Sequence, residues 1–187
     1  MGKVYVLRMG HRLHRDFRTT THCALVARAF GANGIIISGD RDDDIIKTVQ
    51  KINASWGGSF EAEYEKNWRK VIGNWKAGGA YVMLSTMYGI NLPKAVSKIK
   101  HGNDVLIVIG SEKMPSEVFH MADINIAVTN QPHSEVAALA LILDRIFGGR
   151  ELDKKFKGAK IKIKPQEKGK KVLSHRKKDK PTPDMLG

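Results

Sequence analysis

Two polar turns, each directly following an apolar run, are the stretches of this 187-residue chain best arranged to hold a ligand. The first, Gly110-Ser111-Glu112-Lys113-Met114-Pro115, follows Val105-Leu106-Ile107-Val108-Ile109. The second, Thr129-Asn130-Gln131-Pro132-His133-Ser134-Glu135, follows a strand expected over 122–128. Runs that are apolar on both faces belong in a parallel sheet covered by helices. Such sheets bind ligands outside the carboxyl ends of their strands, so the two turns make one pocket. That pocket is not a phosphate nest. The chain has no Gly-x-x-x-x-Gly-Lys-Ser/Thr loop and no Gly-x-Gly-x-x-Gly, and Gly110-Ser111-Glu112-Lys113 lacks the first glycine and its spacing. Leu84, Gly110 and Val128-Thr129-Asn130 offer backbone amides, carbonyls and apolar walls, which suit a cofactor carrying an adenosine without phosphates.

Arg12, Arg15 and Arg18 recur at three-residue steps in a polar segment, 11–19, read as an exposed basic loop. A guanidinium there can hold a phosphate bidentately or stabilise negative charge on a reacting oxygen. Being unable to release its proton easily, arginine serves as a charge and not as a base. His11, His14 and His22 lack a partner cysteine or a Glu-x-x-His pattern, so no metal is expected. His22 can reach the pocket or cap a helix. Trp68 and Trp75, seven apart on one helical face, read as core. Glu135 and Asn130 can contact a ligand or cap the last helix.

The elements that must position these groups alternate. A first strand covers 4–9, and Thr20 or Thr21 caps a helix through Leu25 and Phe30. Ile35-Ile36-Ile37 is a buried strand, and Asp40 caps a helix whose face is Ile45, Ile46, Val49 and Ile52. Ser55-Trp56-Gly57-Gly58-Ser59 is a turn before an exposed strand over 60–64. A helix bearing Trp68, Val71, Ile72 and Trp75 leads to a buried strand over 80–84. Thr86-Met87-Tyr88-Gly89 turns the chain, and Asn91 with Pro93 starts a short helix. The final helix, 136–147, is apolar nearly all round, so one side packs on the sheet and the other needs a partner; a symmetric homodimer through 134–147 is the economical solution. The fold class is α/β, a mostly parallel sheet covered by helices.

Charge is uneven. Residues 150–187 hold 14 Lys/Arg against 5 Asp/Glu, a net +9 of the chain's +13. Such asymmetry points to a polyanion, with nucleic acid the first choice and a solvated tail the alternative. No apolar run is long enough to span a membrane, and the first strand is too short for a signal-peptide core. Cys23 is alone, which fits a reducing cytoplasm. Lys160-Ile161-Lys162-Ile163-Lys164 alternates as a hairpin arm does, with Lys170-Lys171-Val172-Leu173 as its return. The expected division is 1–149 for the ligand-binding domain, 150–175 for a basic hairpin or arm, and 176–187 for a disordered tail.

Gly-Ser-Glu-Lys-Met-Pro after an apolar strand, followed by Asn-Gln-Pro-His-Ser-Glu opening an Ala/Leu helix, resembles the cofactor-binding half of the SPOUT RNA methyltransferases. Arg12-Leu13-His14-Arg15-Asp16-Phe17-Arg18, Thr21-His22 and Ala27-Arg28-Ala29-Phe30-Gly31-Ala32 extend that resemblance over most of residues 1–150. It implies a deep trefoil knot in the C-terminal half, a dimer, and S-adenosyl-L-methionine as cofactor. The residues implied to hold it are Leu84; Gly110, Ser111, Glu112, Lys113 and Met114; and Val128, Thr129, Asn130, Gln131, Pro132, His133, Ser134 and Glu135. The implied reaction is methyl transfer to a ribose 2′-hydroxyl of tRNA, at cytidine 56. Many ribose-methylating members carry an arginine inside the first helix where this chain has Leu25. The resemblance therefore moves the catalytic role to Arg18, with Arg15 second. A base-methylating member of the same fold and a non-catalytic RNA-binding protein are the alternatives.

Overall fold

The computed structural model describes residues 2–100, 102–110 and 113–174. Six strands form one sheet, all neighbours parallel: β1 (Val4–His11), β2 (Gly34–Gly39), β3 (Glu61–Tyr64), β4 (Tyr81–Asn91), β5 (Val105–Gly110) and β6 (Ile124–Ala127), in the spatial order β3-β2-β1-β5-β4-β6. Alternation along the strands divides the core in two. Val4, Val6, Ile107 and Ile109 face α1 (Phe17–Ala29), α2 (Asp43–Trp56), α4 (Leu92–Val96) and α6 (Glu135–Phe147). Tyr5, Leu7, Leu106 and Val108 face α3 (Trp68–Ala77) and α5 (Ser116–Met121). The α/β class with a mostly parallel, helix-covered sheet is as expected, and the edge strand β3 and the α3 face of Trp68, Val71, Ile72 and Trp75 fall where the pattern puts them.

Several local expectations are corrected. Strand β1 continues to His11, and α1 begins at Phe17, three residues before the expected cap. Thr20 lies inside α1, buried against the His11 Nδ1 at 2.9 Å. Helix α2 is capped by Asp42, which accepts from the Asp44 amide, while Asp40 accepts from the Leu13 amide. The 86–89 segment is no simple turn: β4 runs through it to Asn91, with an irregular register against β6 between Ser85 and Ile90. Pairing with a strand some 40 residues away supplies partners that the local sequence does not show.

That irregular stretch is pressed onto its neighbour. A Cβ on Gly89 would collide with the Ile126 amide and the Asn125 carbonyl carbon, both backbone. Gly89→Ala should therefore lower stability by about 1–3 kcal/mol, the usual cost of overpacking. Gly73→Ala, in α3 with open space around its Cβ, should raise it by up to about 1 kcal/mol through helix propensity. Urea midpoints of the two variants moving in the same direction would contradict this packing.

Beyond the sheet, α6 ends at Gly148 in the left-handed conformation, and a short 3₁₀ helix (Arg150–Asp153) leads to an antiparallel hairpin, β7 (Ile161–Lys164) and β8 (Lys171–Ser174). Its register pairs Ile163 with Val172 and Lys164 with Lys171. One face therefore carries Ile161, Ile163 and Val172, and the other Lys162, Lys164, Lys171 and Leu173. Ile163 and Val172 are each 54% exposed, so neither anchors the hairpin to the domain. The hairpin is held at its base instead. Lys160 N donates to Ser55 O at 2.9 Å and Gly58 N to Lys157 O at 2.8 Å. The tail at 176–187 lies outside the described residues.

Candidate active site

Two adjoining cavities open at the carboxyl ends of β4 and β5. The larger, about 1000 Å³, is lined by Ser85, Thr86, Met87, Tyr88 and Gly110, then by Lys113, Met114 and Pro115 ahead of α5 and Ser116, Phe119 and His120 within it. The smaller, about 290 Å³, shares Ser85, Thr86, Met87 and Gly110 and is closed by Gln131, Pro132, His133, Glu135 and Ala138. The two turns thus meet at one edge, as the strand pattern requires. Gly110 stands where they meet: a Cβ there would strike the Met114 sulfur, which lies across it. Ser134 caps α6, its hydroxyl accepting from the Val136 amide at 3.2 Å. Asn130 ties the second turn to the β4 irregularity, donating from Nδ2 to Met87 O at 2.7 Å.

The sequence-derived residues sort by role. Gly110, Lys113, Met114, Gln131, Pro132, His133 and Glu135 line the cavities. Leu84 is fully buried in the core, Val128 packs against the core, and Thr129 is exposed; none of the three lines either cavity. Ser111 and Glu112 lie outside the described residues. Ser85, Thr86 and Met87 escape the sequence reading, although the rule that singles out Gly110 also applies to the polar residues that end a buried strand at 84.

The basic segment is more ordered than a loop. Arg12 grips Asp16 through Nε and Nη2 at 2.8 and 2.9 Å, and that partner holds the Asp16 carboxyl below its ordinary range. Arg15 and Arg18 are exposed and line neither cavity within one chain; His22 is also exposed. On the other side of the site, Arg8 of β1 is fully buried, and its Nη2 donates to Glu135 Oε1 at 2.9 Å. Arg8 Nε and Nη1 have no hydrogen-bond partner among the described residues. A buried guanidinium thus stands behind the glutamate that forms a wall of the smaller cavity. Burial raises the Cys23 thiol to about 12, which keeps it protonated and unreactive. Among the described residues no cluster of metal ligands occurs, and no helix is long and apolar enough to cross a membrane.

Solved structures of SpoU-type methyltransferases share this fold. The A. aeolicus TrmH/SpoU tRNA modifying enzyme superposes with a TM-score of 0.59 at 14% identity, over 81% of this chain and 77% of that one. The SpoU methyltransferase AviRb from Streptomyces viridochromogenes, in complex with AdoMet, superposes with a TM-score of 0.57 at 14% identity, over 80% and 58%. At that identity the likeness concerns the fold. The sequence goes further. The profile of the tRNA ribose 2′-O-methyltransferase family aTrm56 matches residues 56–173. The tRNA (cytidine(56)-2′-O)-methyltransferase of Thermococcus kodakarensis is 53% identical over 174 residues, covering 91% of this chain and 96% of the relative. That of Methanopyrus kandleri is 47% identical over 170 residues, with the same coverage. This chain belongs to the aTrm56 family of SPOUT methyltransferases.

Proposed function

We propose that the protein transfers the methyl group of S-adenosyl-L-methionine to the ribose 2′-hydroxyl of cytidine 56 in tRNA. The observation that carries this reading is the meeting of three strand-end segments around the two cavities, 85–87, Gly110 with Lys113 and Met114, and 131–135, in a chain that shares about half its residues with enzymes named for that reaction. The cavities fit the cofactor: Met87, Met114, Phe119, Ile109 and Ala138 give apolar walls, and the strand ends give backbone donors and acceptors. Bound there, the cofactor would supply an electrophilic methyl on a sulfonium; that methyl would pass to the ribose 2′-oxygen as its bond to sulfur breaks, the neutral thioether leaving and the hydroxyl proton passing to water. The chain's task is to hold the ribose in line and to stabilise charge developing on that oxygen.

Arg18 is assigned that charge, with Arg15 second. Neither arginine lines the cavities of its own chain, so the assignment goes with a homodimer that delivers the arginine of one copy to the cavity of the other. The uncovered side of α6 supports the dimer: Ala137 is exposed and Leu141 is 46% exposed beside the buried Ala138 and Ile142. The same reading includes a trefoil knot. The chain passes from β5 across β4 to pair β6 on its far side, and Gly89 and Asn130 hold the crossing segments together. We assign 1–149 to the knotted domain and 150–175 to a basic arm, and the activity to the cytoplasm, where tRNA and a reduced Cys23 coexist.

The cofactor part has its own test. The isolated protein should bind S-adenosyl-L-methionine without RNA and gain thermal stability by mass action. Gly110→Val should abolish that gain by driving Met114 into the larger cavity while leaving the fold intact. Calorimetry showing wild-type affinity in the folded variant would remove the cofactor from this position.

A further inference from the structure

A second built site lies at the opposite edge of the sheet. The last residue of α2, Trp56, and the turn after it, Gly57-Gly58-Ser59, are covered by the segment that leads from the 3₁₀ helix to the hairpin. Gly57 and Gly58 both have positive φ and no room for a Cβ: Gly57 touches the backbone of Lys157 and Ala159, and a Cβ on Gly58 would come within 2.8 Å of the Phe156 ring. Two cavities flank this contact, about 270 Å³ on the Arg28 side and about 380 Å³ on the Trp56 side, and both are lined by Lys154, Lys155 and Phe156. Lys157 adds to the first and Lys162 to the second, and among the described residues no acidic side chain lines either.

The charges here are crowded, and no ion pair among the described residues relieves them. The buried Arg28 guanidinium lies 4.4 Å from the Phe156 ring centroid, and the Lys154 ammonium 5.7 Å from the same ring. Among the described residues Arg28 donates only to neutral oxygens, those of Asn53 and Gly57, and Lys154 to the Gly31 carbonyl. Neither forms an ion pair among the described residues. Burial lowers the pKa of both, and in Lys154 the nearby Arg28 charge adds to the effect. Two cations held together without an anion are a cost that a bound anion would relieve. Beside them Trp56 lines the second cavity and is 37% exposed. An exposed indole next to lysines matches an unstacked base and its phosphate.

We propose that this groove binds an unpaired nucleotide of the tRNA, its base stacked on Trp56 and its phosphate held by Lys154 and Lys155. The inference rests on the tRNA reading but not on methyl transfer. The groove is reached from Asn33 and Phe60, at the amino ends of β2 and β3. It is thus separated from the methyl-transfer cavities by at least a strand length, on the order of 20 Å. Bound tRNA is then gripped at two separate points, with the hairpin base forming the second.

The test uses the full-length protein and a fluorescent tRNA transcript. Trp56→Ala should weaken tRNA binding about tenfold, and Trp56→Phe, which keeps a ring, should recover most of the loss. Lys154→Ala/Lys155→Ala should flatten the dependence of log affinity on log salt by between about 1 and 2. Unchanged S-adenosyl-L-methionine affinity in each variant verifies that the domain is folded. Wild-type tRNA affinity in Trp56→Ala, or equal losses in the alanine and phenylalanine variants, would overturn the site. If the wild type binds tRNA through this groove but transfers no methyl, the methyl-transfer reading fails and the groove stands. If methylation is normal and Trp56→Ala binds tRNA as the wild type does, the groove fails and methyl transfer stands.

Discussion

Arg18→Ala should reduce single-turnover methylation of tRNA by about a hundredfold or more, the effect expected when a group stabilising a developing oxyanion is removed. Cofactor affinity should stay at the wild-type level, because the cavity walls assigned to the cofactor are intact and Arg18 is assigned to the ribose oxygen. Arg18→Lys keeps a charge but not the planar fork that can also hold the adjacent phosphate, so it should recover only part of the rate. The dimer allows a sharper test. Mixing an Arg18→Ala chain with a Gly110→Val chain produces heterodimers in which one cavity retains both an intact cofactor site and an arginine from the other copy. The mixture should regain activity that neither variant has alone. No rescue in a mixture shown to exchange subunits would return the arginine to its own chain, and near-normal turnover by Arg18→Ala would move the role to Arg15.

The second large effect is on stability. Glu135→Ala leaves Arg8 fully buried with its anionic partner removed, and two of its guanidinium nitrogens already lack a hydrogen-bond partner among the described residues. Breaking a buried pair from one side costs about 3–5 kcal/mol. The Glu135 side chain is 30% exposed, which lets water reach the gap and places the effect near the lower figure. For a chain of this length about 3 kcal/mol corresponds to a fall in Tm of roughly 10 °C. Glu135→Gln, which retains an acceptor, should lose less. Combining Glu135→Ala with Arg8→Met removes the stranded charge and should restore most of the stability, since an apolar replacement of a buried pair is often near neutral. A double variant as unstable as Glu135→Ala would show that the pair matters through something other than charge. Its cofactor affinity is informative too, because Glu135 forms a wall of the smaller cavity.

What the sequence discloses and what it withholds follow one physical division. Gly110 and the Gln131-Pro132-His133 turn are legible because an apolar strand ending in a polar turn is a local pattern, and its consequence in a parallel sheet is general. Ser85, Thr86 and Met87 obey the same rule, but their local sequence reads as the start of a turn. Their strand character comes from pairing with β6, whose Ile126 is matched twice across the irregular register. Arg8 looks like one residue of an ordinary strand. Its burial depends on Glu135, 127 positions away, and no periodicity reports a contact of that range. The groove under the hairpin joins Trp56 to Phe156 from distant parts of the chain and is invisible for the same reason. The hairpin itself is legible from its strict alternation, whereas its attachment through Gly57 and Gly58 is not. The helix caps of α1 and α2 differ from expectation for another reason: several Thr and Asp residues can each cap a helix, and tertiary partners decide among them.

The most direct measurement identifies the methylated atom. Labelled S-adenosyl-L-methionine is incubated with the full-length protein and unmodified tRNA, and the product is digested and mapped by mass spectrometry. The expected product is one labelled nucleoside, cytidine methylated on its ribose 2′-oxygen, at position 56. Methyl on a ring atom, or tRNA that is bound but never labelled, would contradict methyl transfer to the ribose.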